Sequence, residues 1–270
     1  MSEPMSNENK GAIAQFLAAP PDSVGKTLFV AISVCLVASM IVSTAAVSLR
    51  PTQEANKLRD KQVNILQVAG LYDPASDVTE AFAAFEPQVL DLESGEFTDA
   101  FDAATFDDLA AADDPELSRA LEDDPASIGR QARFRTVYLL RDDAGELDKV
   151  ILPLHGYGLW STLYGFIAIE ENGNDIFGLQ FYSHAETPGL GAEVDNPRWK
   201  QQWNGKRLHD DAGTLQITVS KSAPAAGADF HVDGLAGATL TTRGVDNLVK
   251  FWMGEEGYAL FLDKLQAGEF

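Results

Sequence analysis

A threonine hydroxyl in a glycine-rich turn ahead of a helix is the feature of this chain best suited to chemistry. It lies in Asp233-Gly-Leu-Ala-Gly-Ala-Thr239-Leu-Thr-Thr-Arg-Gly244. Val245, Leu248, Val249 and Trp252 then recur at helical spacing and form one apolar face. Thr241 or Thr242 is placed to cap that helix, because a side-chain oxygen satisfies amides that a first turn leaves free. Free amides and the positive end of a helix dipole also favour a phosphate. Thr239, beside such an anion site, has the hydroxyl needed for a phosphate ester. An ordinary turn and cap is the plainer reading of the same residues.

Two further loops bear on the choice. In Ser183-His-Ala-Glu-Thr-Pro-Gly-Leu-Gly191, Pro188-Gly189 marks a tight turn, and Gly189 and Gly191 let another group approach the backbone closely. Its backbone amides, with Glu186, would form a rim facing a planar ligand. Leu154-His-Gly-Tyr-Gly-Leu-Trp-Ser161 sets Tyr157 and Trp160 at a glycine-flanked turn, where they can stack on a flat ring or serve as core aromatics. Combined with Thr239, the loops describe a site for a flat ring with a phosphate tail. The chain has no Ser-His-Asp order, P-loop or dinucleotide glycine fingerprint.

The elements that must hold these loops are legible from residue 133 onward. Residues 133–140, 150–154, 162–169 and 175–182 are β-rich runs separated by turn residues, a spacing that predicts antiparallel hairpins. Asn196-Pro197 starts a helix in which Trp199 and Trp203 share a face. Residues 215–220 read as another strand, followed by a flexible stretch over 222–227. The C-terminus, 245–265, is helical with a break at 254–257. Strands grouped first, with helices attached, predict an α+β domain.

Residues 1–26 read as a polar tail. Residues 27–49 contain no charged side chain, and as a helix they would be roughly 35 Å long, enough for a hydrocarbon core of about 30 Å. The long extension before them favours an uncleaved anchor over a signal peptide. The lysines and arginines flanking it (Lys10 and Lys26 before; Arg50, Lys57, Arg59 and Lys61 after) would by count leave the large domain in the cytoplasm, but a long following domain weakens that rule. A helix is expected over 53–70. Between Asp73 and Asp124 seventeen acids stand against one base, Arg119. The phenylalanines among them predict short amphipathic helices packed on the domain. The net charge of −21 argues against nucleic acid. One cysteine, Cys35, lies in the apolar span, and the four histidines show no metal-ligand spacing.

The pattern Asp233-x-x-Ala236-Gly237-Ala238-Thr239, the loop from His184 to Gly191 and the stretch Gly156-Tyr-Gly-Leu-Trp160 resemble the C subunit of the bacterial sodium-translocating NADH:quinone reductase, over nearly the whole chain. The resemblance implies a tail (1–26), a transmembrane helix (27–49), a helical linker with an acidic insert (50–130) and an antiparallel-sheet FMN-binding domain with flanking helices (131–270). It implies FMN joined covalently through its phosphate to Thr239, by a flavin transferase using FAD. Gly237, Ala238, Lys221, Glu186, Thr187, Gly189, Leu190, Gly191, Tyr157, Leu159 and Trp160 would line the flavin. Amides of Leu190 and Gly191, or Lys221, would stabilise negative charge on the reduced ring. The sequence departs from the family at Ala236, where serine or threonine is usual, and so lacks one hydroxyl. The implied partners are the FMN- and riboflavin-bearing and iron-bearing membrane subunits and the NADH-oxidising subunit, with the large domain periplasmic. The related G subunit of the RNF complex, also an FMN carrier, and a non-redox anchored interaction module are the alternatives.

Overall fold

The structure, a computed structural model, describes residues 16, 20, 23–223 and 227–270. Most of the polar tail and the middle of the flexible stretch 222–227 lie outside the described residues. By contacts the chain divides into Met1–Lys57 and Leu58–Phe270.

Helix α1, Val24–Val68, begins in the first unit. Leu28, Phe29, Val30, Leu36, Met40 and Ile41 are all more than half exposed. This apolar window is long enough to cross a membrane. The expected span and separate helix over 53–70 are one element, running through Pro51. Proline there forfeits a ladder hydrogen bond, and helix-forming residues on both sides carry the helix past it.

In the second unit, five long or central strands and two short edge strands form a sheet in the order β2-β1-β5-β6-β7-β8-β9, every neighbouring pair antiparallel. They are β1 Phe85–Asp91, β2 Glu96–Phe97, β5 Phe134–Arg141, β6 Leu147–Tyr157, β7 Thr162–Glu170, β8 Asp175–Ser183 and β9 Lys206–Arg207. The four runs expected from residue 133 onward are β5 to β8. Two small pairs complete the set: β3 Ser118–Ala120 with β4 Arg130–Ala132, and β10 Thr218–Ser220 with β11 His231–Asp233.

Both sheet faces are covered, so the central strands are apolar on both sides. Val150, Leu152 and Leu154 of β6 enter a large core with Val245, Leu248 and Trp252 of α5 (Thr239–Met253) and Phe261 of α6 (Ala259–Gln266). Ile151 of β6 and Phe166 and Ala168 of β7 face a smaller core closed by Ile65, Leu66 and Val68 of α1 and Val78 of α2 (Val78–Phe82). Asn196 caps α4 (Pro197–Lys200), as the Asn-Pro pair requires, and Trp199 and Trp203 meet edge-on at 5.8 Å. Residues 254–257 break the C-terminal helix as expected.

The acidic stretch differs from its expectation. It contributes β1, a full strand of the main sheet, along with the short helices α2 and α3 (Asp108–Ala112). Glu86, Pro87 and Gln88 break the apolar alternation of β1, which hides the strand from a reading by pattern. Asp108 also has a buried role. Its Oδ2 lies 3.1 Å from Nε of Arg135, a guanidinium 2% exposed and stacked over Trp252 at 4.6 Å.

Candidate functional site

Helix α5 begins at Thr239 itself. Ala238 occupies the cap position in a non-helical conformation (φ −123°, ψ 58°), and no side-chain cap hydrogen bond forms. The two threonines expected to cap the helix lie inside its first turn, both buried. Thr241 Oγ1 donates to Glu186 Oε2 at 2.6 Å. Thr242 Oγ1 donates to the Ala238 carbonyl and accepts the Leu235 amide, each at 2.9 Å. Because the helix starts earlier than its apolar stripe suggests, neither hydroxyl reaches the end. The N-terminal amides are left without a side-chain partner, and Thr239 is exposed.

The phase of α5 explains that exposure. Thr241, Val245, Leu248 and Trp252 share the buried face. Thr239 precedes Thr241 by two residues, about 200° of rotation, and so faces outward.

The segments flanking Thr239 converge through close backbone contacts. Gly237 has φ 75°, open to glycine at little cost, and a Cβ there would lie 3.2 Å from Leu190 Cδ2. Gly244 of α5 packs against the Tyr157 carbonyl and Gly158 so closely that no side chain fits. The Gly234 amide donates to the Ser220 carbonyl at 2.9 Å, which sets the turn after β11 beside the exposed Lys221. A cavity of about 320 Å³ lies along this turn, walled by Gly189, Glu193, Trp199, Asp233 and Ala236. Tyr157, Trp160, Leu190 and Leu240 are 45%, 64%, 44% and 51% exposed. Each is a large apolar side chain left open to solvent on a segment tied to α5 or to the turn before it.

Glu186 stands apart from the other rim residues. It is buried, its Oε1 accepting the amides of Leu159 at 2.8 Å and Trp160 at 3.0 Å while Oε2 accepts Thr241. Its carboxylate therefore joins the loops from beneath and does not face a ligand at the surface. Burial acts to raise its pKa, but the bonds from Thr241 and from the Trp160, Leu159 and Ser161 amides outweigh it and hold the carboxyl below its ordinary 4.5. The Leu190 amide is also engaged, donating to the Thr187 carbonyl at 3.1 Å, so it is not an open donor. Thr187, Gly189 and Gly237 are exposed, Leu159 is half-buried, and Gly191 and Ala238 are buried. Among the described residues no cluster of ligating side chains could hold a metal.

Sequence reasoning took Thr241 for a cap and gave Gly244 and Leu240 no part in the site. A signal for the first two was present: stepping back by three or four from Leu248 and Val245 puts Gly244 and Thr241 on the buried face.

Residues 158–254 match the model of the FMN-binding domain family. The C subunit of the Na(+)-translocating NADH-quinone reductase of Pseudomonas aeruginosa is 51% identical over 257 residues, covering 92% of this chain and 98% of that protein. The corresponding protein of Yersinia pestis is 49% identical, covering 92% and 95%. Among solved structures, Shewanella oneidensis NqrC is similar with a TM-score of 0.72 and 36% identity, over 78% of this chain and 99% of that one. The corresponding protein of Parabacteroides distasonis has a TM-score of 0.64 and 29% identity, over 79% and 96%. With an anchor-length apolar helix, the expected antiparallel sheet and relatives matched almost end to end, the chain belongs to the NqrC family, the C subunits of the Na(+)-translocating NADH-quinone reductases.

Proposed function

We propose that this chain carries FMN joined through its phosphate to Thr239 Oγ1, and is an electron-carrying subunit of a complex that couples NADH oxidation by ubiquinone to sodium export. The observation that carries this reading is an exposed hydroxyl on the first residue of a helix whose N-terminus has no side-chain cap. The residues present fit the group. The uncapped amides and the helix dipole favour a phosphodiester's negative charge. Gly237 keeps the approach to Thr239 low, and Tyr157, Trp160, Leu190 and Leu240 offer apolar surface to a ring. The relatives' quinone-reductase names favour this family over the RNF subunit.

Attachment exchanges one bond for another. With FAD supplied by a flavin transferase, Thr239 Oγ1 bonds to the phosphorus of the FMN half, the bond from that phosphorus to the AMP half breaks, and AMP leaves with the hydroxyl proton. The attached flavin supplies reversible electron transfer. The protein's share is to hold the phosphate at the helix end, cover ring surface with the four apolar side chains, and set a positive charge, Lys221, at the site's edge.

The anchor ties the carrier to the bacterial inner membrane, with the large domain on the periplasmic side and the covalent bond preventing loss of the cofactor there. Residues 27–49 hold no ionisable side chain except Cys35, so a sodium path belongs to other subunits. The partners are the FMN- and riboflavin-bearing and iron-bearing membrane subunits and the NADH-oxidising subunit.

The test is denaturing gel fluorescence of the full chain expressed with a flavin transferase. Wild type and Thr239→Ser give a fluorescent band, and Thr239→Ala gives none. Fluorescence persisting in Thr239→Ala overturns the assignment.

A further inference from the structure

We infer that Glu186 is the positioning residue of the flavin site, its buried carboxylate clamping the helix that bears Thr239 to the loop that bears Trp160. The inference rests on the FMN reading above. Its geometric part stands on contacts alone. Oε2 accepts the Thr241 hydroxyl from α5, and Oε1 accepts two consecutive amides, Leu159 and Trp160, from the turn between β6 and β7. One carboxylate thus collects donors from two segments far apart in sequence, each carrying a neighbour of the proposed flavin.

Two glycines show how tightly the loops close on it. A Cβ on Gly158 would lie 2.5 Å from Oε1, and one on Gly191 would lie 2.5 Å from Oε2. Among the described residues, no lysine or arginine ion pair to Glu186 is formed. Desolvating a carboxylate without a cation is a costly way to hold two loops together, and an apolar side chain of like volume would pack them at less cost. What the carboxylate adds is direction. It fixes the rotation of α5 by gripping Thr241, which turns Thr239 outward. It also fixes the orientation of the Leu159–Trp160 peptide. A buried anion beneath the ring-flanking loop further opposes addition of an electron nearby.

The test uses the full chain, expressed with a flavin transferase, as wild type, Thr241→Val, Thr241→Ser and Glu186→Gln. Thr241→Val removes the hydroxyl and keeps the shape, and is expected to slow covalent flavin incorporation, read by intact mass, about tenfold, the scale of one charge-assisted hydrogen bond. Thr241→Ser restores the hydroxyl and the rate. Glu186→Gln can accept both amides and donate to Thr241, so it keeps incorporation but loses the charge. Its flavin midpoint potential is expected to rise. A folded Thr241→Val protein that gains flavin at the wild-type rate overturns the inference. If Thr241→Val does not fold, hydrogen exchange at Leu159 and Trp160 in Glu186→Gln decides: a neutral amide oxygen accepts more weakly than a carboxylate, so faster exchange than in wild type supports the clamp, and an equal rate overturns it. A wild-type chain without flavin would defeat the functional reading instead. Hydrogen exchange at Leu159 and Trp160 in the apo chain would then decide the clamp, slow exchange in wild type and faster exchange in Thr241→Val supporting it, equal rates overturning it.

Discussion

Three threonines within four residues have three different fates, and position on the helix decides each. Thr239 faces solvent, Thr241 grips a buried carboxylate, and Thr242 holds the turn that precedes the helix. The motif was legible in the sequence, because glycine followed by threonine at a helix start is a local pattern. The partners were not: Glu186 lies 55 residues before Thr241, and no local rule connects them. His155 makes the same point with a measurable consequence. It stacks on Tyr164 at 5.6 Å and is 8% exposed. Burial first, and the Arg135 charge second, push its pKa down from 6.5 to about 3. Between those values the unfolded chain binds a proton that the folded chain does not, so stability rises with pH across the window and levels off above 6.5. Denaturant titrations at pH values inside that window should give a steeper pH dependence for wild type than for His155→Gln. Equal slopes would contradict the assignment.

Periodic elements were read correctly where one rule governed them. Strands β5 to β8 carry β-rich runs between turns, and α5 shows a clear 3.6-residue stripe. Strand β1 was hidden because Glu86, Pro87, Gln88 and Asp91 interrupt it, and it is held by pairing with β5 from Phe85 opposite Leu140 to Asp91 opposite Phe134. The acidic segment that contains it is therefore part of the sheet as well as a source of surface charge. Helix α3 fastens it further, since Asp108 pairs with the buried Arg135, which stacks on Trp252 of α5. Asp108→Ala would leave that guanidinium uncompensated and should cost about 3–5 kcal/mol in chemical denaturation. Replacing both partners by apolar residues of similar size, Asp108→Leu with Arg135→Met, should recover most of it. A single-variant loss below about 1 kcal/mol, the range of an exposed pair, would show that the charge is not buried in solution.

For the whole chain, the site and the anchor belong to different units. Every residue proposed to touch the flavin lies in Leu58–Phe270, and the apolar window of α1 lies in Met1–Lys57. The end of α1 and the turn after it are nonetheless part of the second unit's core, through Ile65, Leu66, Val68 and Ala69, each at most 5% exposed. A chain starting at Leu58 should unfold cooperatively without detergent and accept flavin. A chain starting at Leu71 loses those four side chains, worth about 1.5–3 kcal/mol for each large one, and should be markedly less stable by circular dichroism. Equal stability of the two truncations would contradict the second core. The measurement closest to the central claim is peptide mass mapping of the full chain made with a flavin transferase. The account predicts a peptide carrying one FMN, less water, with fragmentation locating it on Thr239. An unmodified Thr239 peptide under those conditions, or FMN on another residue, would contradict it.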